Sequence, residues 1–334
     1  MSSAYLTVGV EIMGLARWML DLHDDFEVER HWSHVEGKQI YFWKAGNGPE
    51  LILLHGLLGT AAAWEPIAPM LAAESTVYAV DALCMGESER VPGIEAGLQA
   101  QADRVAAFME AEGIPAADIL GTSHGGAVAL VLAARHPERV RSLILHAPVN
   151  PFCSVADSLI HFYRSRLGHW FAHRLPQLPE SFKAGALSRM YGDPARVRPG
   201  SLERYTESLG KPGTIDYLLT LLGGWFEDMR SLESALSQVR EIPSVLLWGD
   251  RDGAVSLESG RRLQGFFRHA ELVVLPGAGH LPYEECPVIF AQAVHGFLRQ
   301  ERARREPGPK LVPQQPAVSP VEQAENRAGS APNS

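Results

Sequence analysis

The sequence predicts an α/β fold, a mostly parallel and doubly wound sheet with an inserted helical cap. Two observations predict it. Short apolar runs alternate with helix-forming stretches, which is typical of a parallel sheet with helices on both faces. The alternation then stops between residues 150 and 235, where helical periods, Pro and Gly replace any strand-like run. Such an insertion would lie over the carboxyl edge of the sheet, where open α/β sheets bind ligands.

The apolar runs predict the strands. Glu50–Gly56 is a continuous apolar run stopped by glycine, as expected of a strand buried on both faces. Comparable runs follow at Thr76–Ala82, Ala117–Ser123, Val140–Pro148, Pro243–Asp250 and Ala270–Gly277. Ahead of them, His31–Gly46 predicts an antiparallel hairpin that turns near Gly37. Helices are predicted between the strands at Ala61–Leu71, Gln99–Glu112 and Gly125–Arg135.

Length and composition set the domain organisation and exclude some partners. The 334 residues are 46% hydrophobic and carry a net charge of −9, which disfavours nucleic-acid binding because phosphates need clustered Lys and Arg. We predict an α/β core of residues 31–150 and 236–300, a helical cap of residues 151–235, an N-terminal helical extension of residues 1–30 and a disordered tail of residues 301–334.

The N-terminal extension and the cysteines bear on partners and location. Residues 5–22 carry an apolar stripe at helical spacing, but charged residues interrupt it, so it predicts neither a transmembrane segment nor a signal peptide. A helix docked on its own domain, a dimer contact and a membrane-surface contact remain open for this stripe.

Cys84, Cys153 and Cys286 lack metal-ligand spacing, and free thiols favour a cytoplasmic location.

The stretch "ILGTSHGGAVAL" predicts a nucleophile. Gly121 and Gly125 bracket Ser123 where a strand turns sharply into a helix, and small residues are needed there to avoid collisions. The G-x-S-x-G pattern in this context is the nucleophile elbow, which presents the serine hydroxyl above the sheet. A serine needs a base, and the base needs an orienting carboxylate.

The chain order Ser, acid, His then selects the partners. "LLWGDRDGAV" follows one late strand and offers Asp250 and Asp252, and "LPGAGHLPYEE" follows the last strand and offers His280 in a glycine-rich loop. His280 is the candidate base because the carboxyl ends of parallel strands meet at the edge where Ser123 should lie.

Together, the blocks "LLHGLLGTAAAW", "VDALCMGES", "GTSHGG", "WGDRD" and "GAGHLPYEECP" resemble the α/β-hydrolase superfamily with a helical cap. The resemblance implies that Asp252, rather than Asp250, is the triad acid. It also implies an oxyanion hole formed by the backbone N–H groups of Leu57 and His124. One departure is Cys84, which stands where relatives usually have glycine.

These residues predict a serine hydrolase that cleaves a carboxylic ester of a small, apolar substrate through an acyl-enzyme, without metal or cofactor. Trp64, Phe152 and Trp225 are expected to contact the substrate. One alternative is a C–C bond hydrolase of the meta-cleavage type, although Leu281 stands where that family typically has Trp after the triad His. A ligand-binding receptor on a hydrolase scaffold is the other.

Overall fold

The computed structural model describes residues 26–305. Eight strands form one sheet in the order β1-β2-β4-β3-β5-β6-β7-β8. Strands β3 to β8 run parallel, whereas β2 pairs antiparallel with both β1 and β4. The strands are β1 (Glu29–Val35), β2 (Lys38–Ala45), β3 (Glu50–Leu54), β4 (Thr76–Val80), β5 (Ala117–Thr122), β6 (Val140–His146), β7 (Ser244–Gly249) and β8 (Glu271–Leu275). The predicted fold class, a mostly parallel α/β sheet, is confirmed.

The central strands are buried on both faces, as their continuous apolar runs predict. Leu51, Ile52 and Leu53 of β3 are fully buried, because helices cover the sheet on its two sides. The helices that flank the sheet are α1 (Ala68–Ala72), α2 (Leu98–Ala111), α3 (His124–Arg135), α9 (Leu257–Gln264), α10 (Pro282–Glu285) and α11 (Pro287–Arg305). A 3₁₀ helix at Ala61–Ile67 precedes α1, so the helix predicted at Ala61–Leu71 is split in two.

Helices alone occupy the described chain between β6 and β7. They are α4 (Asp157–Tyr163), α5 (Arg166–Ala172), α6 (Glu180–Ser188), α7 (Ser201–Thr206) and α8 (Thr214–Ala235). We call residues 150–235 the helical insertion. It contacts loops that follow two of the strands: Gly86 after β4 donates to the Ser208 hydroxyl at 3.1 Å, and the His280 N–H after β8 donates to the Met190 carbonyl at 2.6 Å.

Two predicted boundaries differ from the structure. β1 begins at Glu29, inside the segment assigned to the N-terminal extension, because its pairing with β2 extends to Glu29 opposite Lys44. Helix α11 continues to Arg305, past the predicted start of a disordered tail at residue 301, because Ala and Arg are strong helix formers. Of the second unit, residues 298–334, the structure describes only residues 298–305, the last turns of α11. The stripe at residues 5–22 and the tail from residue 306 lie outside the described residues.

Cys84, Cys153 and Cys286 are all free thiols. No helix within residues 26–305 is long and apolar enough to cross a membrane.

The hairpin turn at Gly37 yields a stability prediction. Val35 pairs with Lys38, and the two residues between them have positive φ, 53° at Glu36 and 72° at Gly37, as a two-residue type I′ turn requires. Gly37→Ala should lower the free energy of unfolding by about 1 kcal/mol, because only the backbone conformation resists a side chain there.

The matched control is Gly185→Ala in the interior of α6, where an added methyl group also meets open space. Here alanine should stabilise by about 0.5–1 kcal/mol, since the helical φ suits it. Urea unfolding of both variants measures the two effects. Equal shifts would contradict the assignment of the turn.

Candidate active site

The candidate nucleophile, Ser123, forms the whole turn between β5 and α3. Its φ of 52° and ψ of −118° lie in a region that residues with side chains seldom adopt. Neighbouring backbone holds this conformation: the Ser123 N–H donates to the His146 carbonyl at 2.9 Å, and the Ser123 carbonyl accepts from the Val149 N–H at 3.0 Å. Both partners belong to β6 or the loop after it, so the adjacent strand fixes the position of the serine.

The two glycines beside Ser123 permit a close approach of backbones. A Cβ atom at Gly121 would lie 2.5 Å from the Gly125 carbonyl oxygen, and one at Gly125 would lie 2.3 Å from the Leu54 carbonyl oxygen. Any larger residue would therefore push α3 away from β5 or from the end of β3. This is the crowding that the G-x-S-x-G pattern predicts.

The site lies where the strand order reverses. From β3 the chain crosses to β4 on one side, and β5 then pairs with β3 on the other side. The loops after β3 and β5 therefore diverge and leave a crevice between them, which is the usual ligand site of open α/β sheets. Ser123 follows β5 and Leu57 follows β3, so the sheet topology brings these two distant segments together.

The predicted acid and base meet at the neighbouring strand ends. The Nδ1 atom of His280 lies 2.7 Å from Oδ2 of Asp252, whose Oδ1 accepts from the N–H groups of Ala254 and Val255. Burial alone raises the pKa of Asp252, but the charge and hydrogen bond of His280 outweigh burial and hold the pKa below its usual value. An ionised Asp252 keeps the proton on Nδ1 and leaves Nε2 free to accept one.

Asp250, the alternative acid, points elsewhere. Its Oδ1 accepts from the Gly277 N–H at 2.7 Å, and its side chain belongs to an exposed residue. The structure therefore pairs His280 with Asp252 and uses Asp250 to hold the loop after β8.

His146 contacts both the candidate nucleophile and the candidate base. Its carbonyl holds Ser123, and its ring centroid is 5.9 Å from that of His280. Within residues 26–305, no hydrogen bond joins the Ser123 hydroxyl to His280. Such contacts are often loose before substrate binds and tighten in the complex.

The two candidate oxyanion donors border one cavity of about 60 Å³. His124 is the first residue of α3, where N–H groups have no acceptor inside the helix. Leu57 follows Gly56, and a Cβ at Gly56 would lie 3.2 Å from the Ser123 Cβ, so this loop lies against the nucleophile. In the described part of the chain neither N–H has a hydrogen-bond acceptor. Both remain available to an anionic oxygen.

His55 holds the loop after β3, which we call the oxyanion loop, through hydrogen bonds of its ring. Its Nδ1 donates to the Gly56 carbonyl at 2.8 Å, and its Nε2 accepts from the Ala82 N–H at 3.0 Å. Both ring nitrogens are used only if the ring is neutral. Burial lowers the pKa of His55 and outweighs the charge of Asp81, which agrees with that state.

The three aromatic residues expected to contact substrate have different surroundings. Trp225 on α8 stacks near His124, with ring centroids 6.3 Å apart. Trp64 is fully buried against Tyr283, and Phe152 stacks on Phe266 beneath the Arg262 guanidinium. None of the three lines the cavity. A count of aromatic residues could not show which of them face inward to the core.

Sequence reasoning missed the polar residues of the cavity wall. Gln101 and Arg104 of α2 and Tyr217 of α8 line it together with apolar side chains. The signal in the sequence was a polar residue on the otherwise apolar face of a helix. No group of three or more His, Cys, Asp or Glu side chains suitable for a metal ion occurs among the described residues.

Two histidines of the site are buried and neutral. Burial, with the nearby His55, lowers the pKa of His124 to about 3. Burial, with the nearby His280, lowers the pKa of His146 to about 3. Their rings therefore contribute no positive charge at neutral pH.

His146 should make stability depend on pH. Its pKa is lower in the folded protein than the unfolded value of about 6.5. Between these values the unfolded chain binds a proton that the folded protein does not, so the free energy of unfolding falls as pH falls. One such group contributes a slope of up to about 1.4 kcal/mol per pH unit. His146→Gln should reduce the slope by that amount between about pH 4 and 6, measured by urea unfolding. An unchanged slope would mean that the folded protein protonates His146.

Comparisons with known proteins identify the family of the chain. Residues 49–287 match the family model described as alpha/beta hydrolase fold. The chain is 27% identical over 267 residues to 2-hydroxymuconate semialdehyde hydrolase of Pseudomonas sp. (strain CF600), covering 78% of this chain and 90% of that protein. It is 30% identical over 264 residues to a pimeloyl-[acyl-carrier protein] methyl ester esterase of Chromobacterium violaceum, covering 77% and 96%.

Among solved structures, the epoxide hydrolase CorEH superposes with a TM-score of 0.74 at 20% identity, covering 82% of this chain and 99% of that one. This likeness concerns the fold alone. The named relatives support hydrolysis as the general reaction. Because the family model spans most of the sequence, the chain belongs to the α/β-hydrolase fold family.

Proposed function

We propose that the protein is a serine hydrolase that cleaves carboxylic esters of a small, mainly apolar substrate through an acyl-enzyme intermediate. The observation that carries this proposal is the 2.7 Å contact between His280 and an ionised Asp252 beside the strained turn at Ser123. A neutral imidazole so oriented is the base that a serine nucleophile requires.

The steps follow from the positions of these groups. His280 Nε2 takes the proton of Ser123 as its oxygen attacks the ester carbonyl carbon. The N–H groups of Leu57 and His124 stabilise the negative oxygen that results. When the carbon–oxygen bond breaks, His280 donates the proton to the leaving alcohol. Water then attacks the acyl-serine by the same route in reverse, and the acid leaves.

The cavity supports a mainly apolar acyl group. Leu54, Leu57, Phe108, Val128 and Leu221 contribute to its wall, and apolar walls with a few polar groups are typical of small-molecule sites. A 30% identical relative named as a methyl ester esterase also favours an ester bond.

A C–C bond hydrolase is the second candidate. Two relatives, 27% and 25% identical, are named 2-hydroxymuconate semialdehyde hydrolase and 2-hydroxy-6-oxo-2,4-heptadienoate hydrolase. Leu281 argues against this reading, since the resemblance leads us to expect Trp there in such enzymes. Parallel assays with a simple ester and with a 2-hydroxy-6-oxo-dienoate separate the two activities, and a binding receptor would turn over neither.

Ser123→Ala should abolish ester hydrolysis and labelling by a fluorophosphonate, because both need the serine oxygen as nucleophile. The fold should persist, as shown by an unchanged melting temperature. Ser234→Ala, an exposed position on α8, is the matched control and should keep labelling and turnover. Hydrolysis by a folded Ser123→Ala protein would contradict the proposed mechanism.

Substitution of Asp252 and substitution of Asp250 should lower kcat by very different factors. Asp252→Asn should lower kcat by about 10⁴-fold, because the amide favours the wrong tautomer of His280. Asp250→Asn should lower kcat less than about tenfold, since its side chain only accepts from the Gly277 N–H. Steady-state kinetics on one ester give the ranking, and the opposite ranking would contradict the assignment of the acid.

A further inference from the structure

The cavity beside the oxyanion loop contains a buried cation. Its wall includes Leu57 and His124, but also Arg104 from α2 and Tyr217 from α8. Arg104 is only 8% exposed. A guanidinium is charged at every physiological pH and offers five N–H donors, so its burial calls for an anion or several acceptors.

The protein supplies little to satisfy Arg104. Its Nη2 donates to the backbone carbonyl of Glu95 at 2.7 Å. Its Nε is buried with no hydrogen-bond partner in residues 26–305, and in that range no Asp or Glu carboxylate lies within 4.0 Å of the guanidinium. Buried cations are ordinarily paired, because an uncompensated charge in a poorly solvated place is costly.

Tyr217 adds an unused donor at the same wall. It is 5% exposed, and its hydroxyl has no partner among the described residues. Burial raises the pKa of the Tyr217 phenol, although the nearby charge of Arg104 lowers it, so the hydroxyl keeps its proton. A neutral phenol and a guanidinium together offer hydrogen-bond donors to one anion.

Among the described residues, the other polar groups of this wall and the Cys84 thiol near Arg104 form no hydrogen bond or ion pair with the guanidinium. Both oxygens of the Asp81 carboxylate accept from backbone, from Ala61 at 2.6 Å and from Glu87 at 2.8 Å. Burial raises the pKa of the Cys84 thiol near Arg104, so the thiol is neutral. Gln101, three residues before Arg104 on α2, donates to the Ala96 carbonyl. Among the described residues, no protein anion pairs with the Arg104 guanidinium.

We infer that the acyl group bound in this cavity carries a carboxylate at its far end, held by the Arg104 guanidinium and the Tyr217 hydroxyl. The substrate class is then a monoester of a dicarboxylic acid. This inference rests on the proposed ester hydrolysis at Ser123 and names its acyl specificity. Arginine suits this role because its planar fork matches the geometry of a carboxylate.

The first experiment compares matched esters. The 4-nitrophenyl monoesters of adipic, pimelic and suberic acid are assayed beside 4-nitrophenyl esters of monocarboxylic acids of equal chain length. We expect wild-type kcat/KM to favour one dicarboxylic monoester by about 10- to 100-fold, the usual effect of a hydrogen bond to a charged group. A preference for the neutral ester at every length would overturn the inference.

Variants then identify the groups responsible. Arg104→Gln should reduce the preference ratio by about 10- to 100-fold, and Arg104→Lys should retain part of it because the charge remains. Tyr217→Phe should reduce the ratio by about 2- to 10-fold without lowering the melting temperature, since its hydroxyl has no protein partner to lose. Arg261→Gln, on the exposed face of α9, is the control and should leave the ratio unchanged. Unchanged ratios in both cavity variants would refute the assignment.

A second measurement needs no turnover. Adipate, pimelate and suberate are titrated into the Ser123→Ala protein by calorimetry, with and without Arg104→Gln or Tyr217→Phe. If the wild-type protein hydrolyses none of the esters but a diacid binds Ser123→Ala in a way that depends on Arg104, the proposed function is overturned and the carboxylate site at Arg104 is supported. Ester hydrolysis without preference, and without binding of any diacid, would overturn the inference and leave the proposed function standing. If Arg104→Gln fails to fold, Tyr217→Phe and the titration of the cavity with Arg104 intact decide the matter.

Discussion

The turn at Ser123 is the constraint on which the rest of the site depends. The chain must leave β5 and enter α3 within one residue of positive φ, and the glycines beside it let the start of α3 approach the end of β3 closely. That approach fixes the first N–H of α3 and brings the loop after β3 against the nucleophile. The candidate oxyanion donors, Ser123 and the cavity that Leu57 and His124 border therefore have a common geometric origin.

A buried carboxylate couples the helical insertion to the loop of His280, the candidate base. Glu285, which is 7% exposed, accepts from the N–H groups of Gly279, Gly192 and Asp193. Gly279 precedes His280, whose own N–H donates to the insertion. Because a carboxylate that accepts several backbone N–H groups holds them in fixed positions, the loop that carries the base and the segment after α6 support each other. The insertion thus helps to position the base.

The sequence predicted the features that depend on residues close to one another in the chain. Strand β3 reads as an apolar run because both of its faces are buried, and Ser123 stands out because its turn needs glycines at fixed offsets. Trp64 could not be placed in this way: the sequence led us to expect a substrate contact, but tertiary packing places it against Tyr283 in the core. Arg104 and Tyr217 meet because α2 and α8 line one cavity, and no local pattern relates two helices so far apart in the chain.

The hydrogen-bond donors that have no partner among the described residues indicate the chemistry of the ligand. Around the cavity, His55 and the carboxylate of Asp81 are held by backbone groups, so they shape the loops. The N–H groups of Leu57 and His124 and the donors of Arg104 and Tyr217 have capacity left. A hydrogen-bond donor without an acceptor in the protein contributes nothing to the stability of the fold. A ligand that supplies the acceptor therefore gains that hydrogen bond when it binds. An ester carbonyl at one pair of donors and a carboxylate at the other would use this capacity, with an apolar chain between them against the leucine, valine and phenylalanine side chains of the wall.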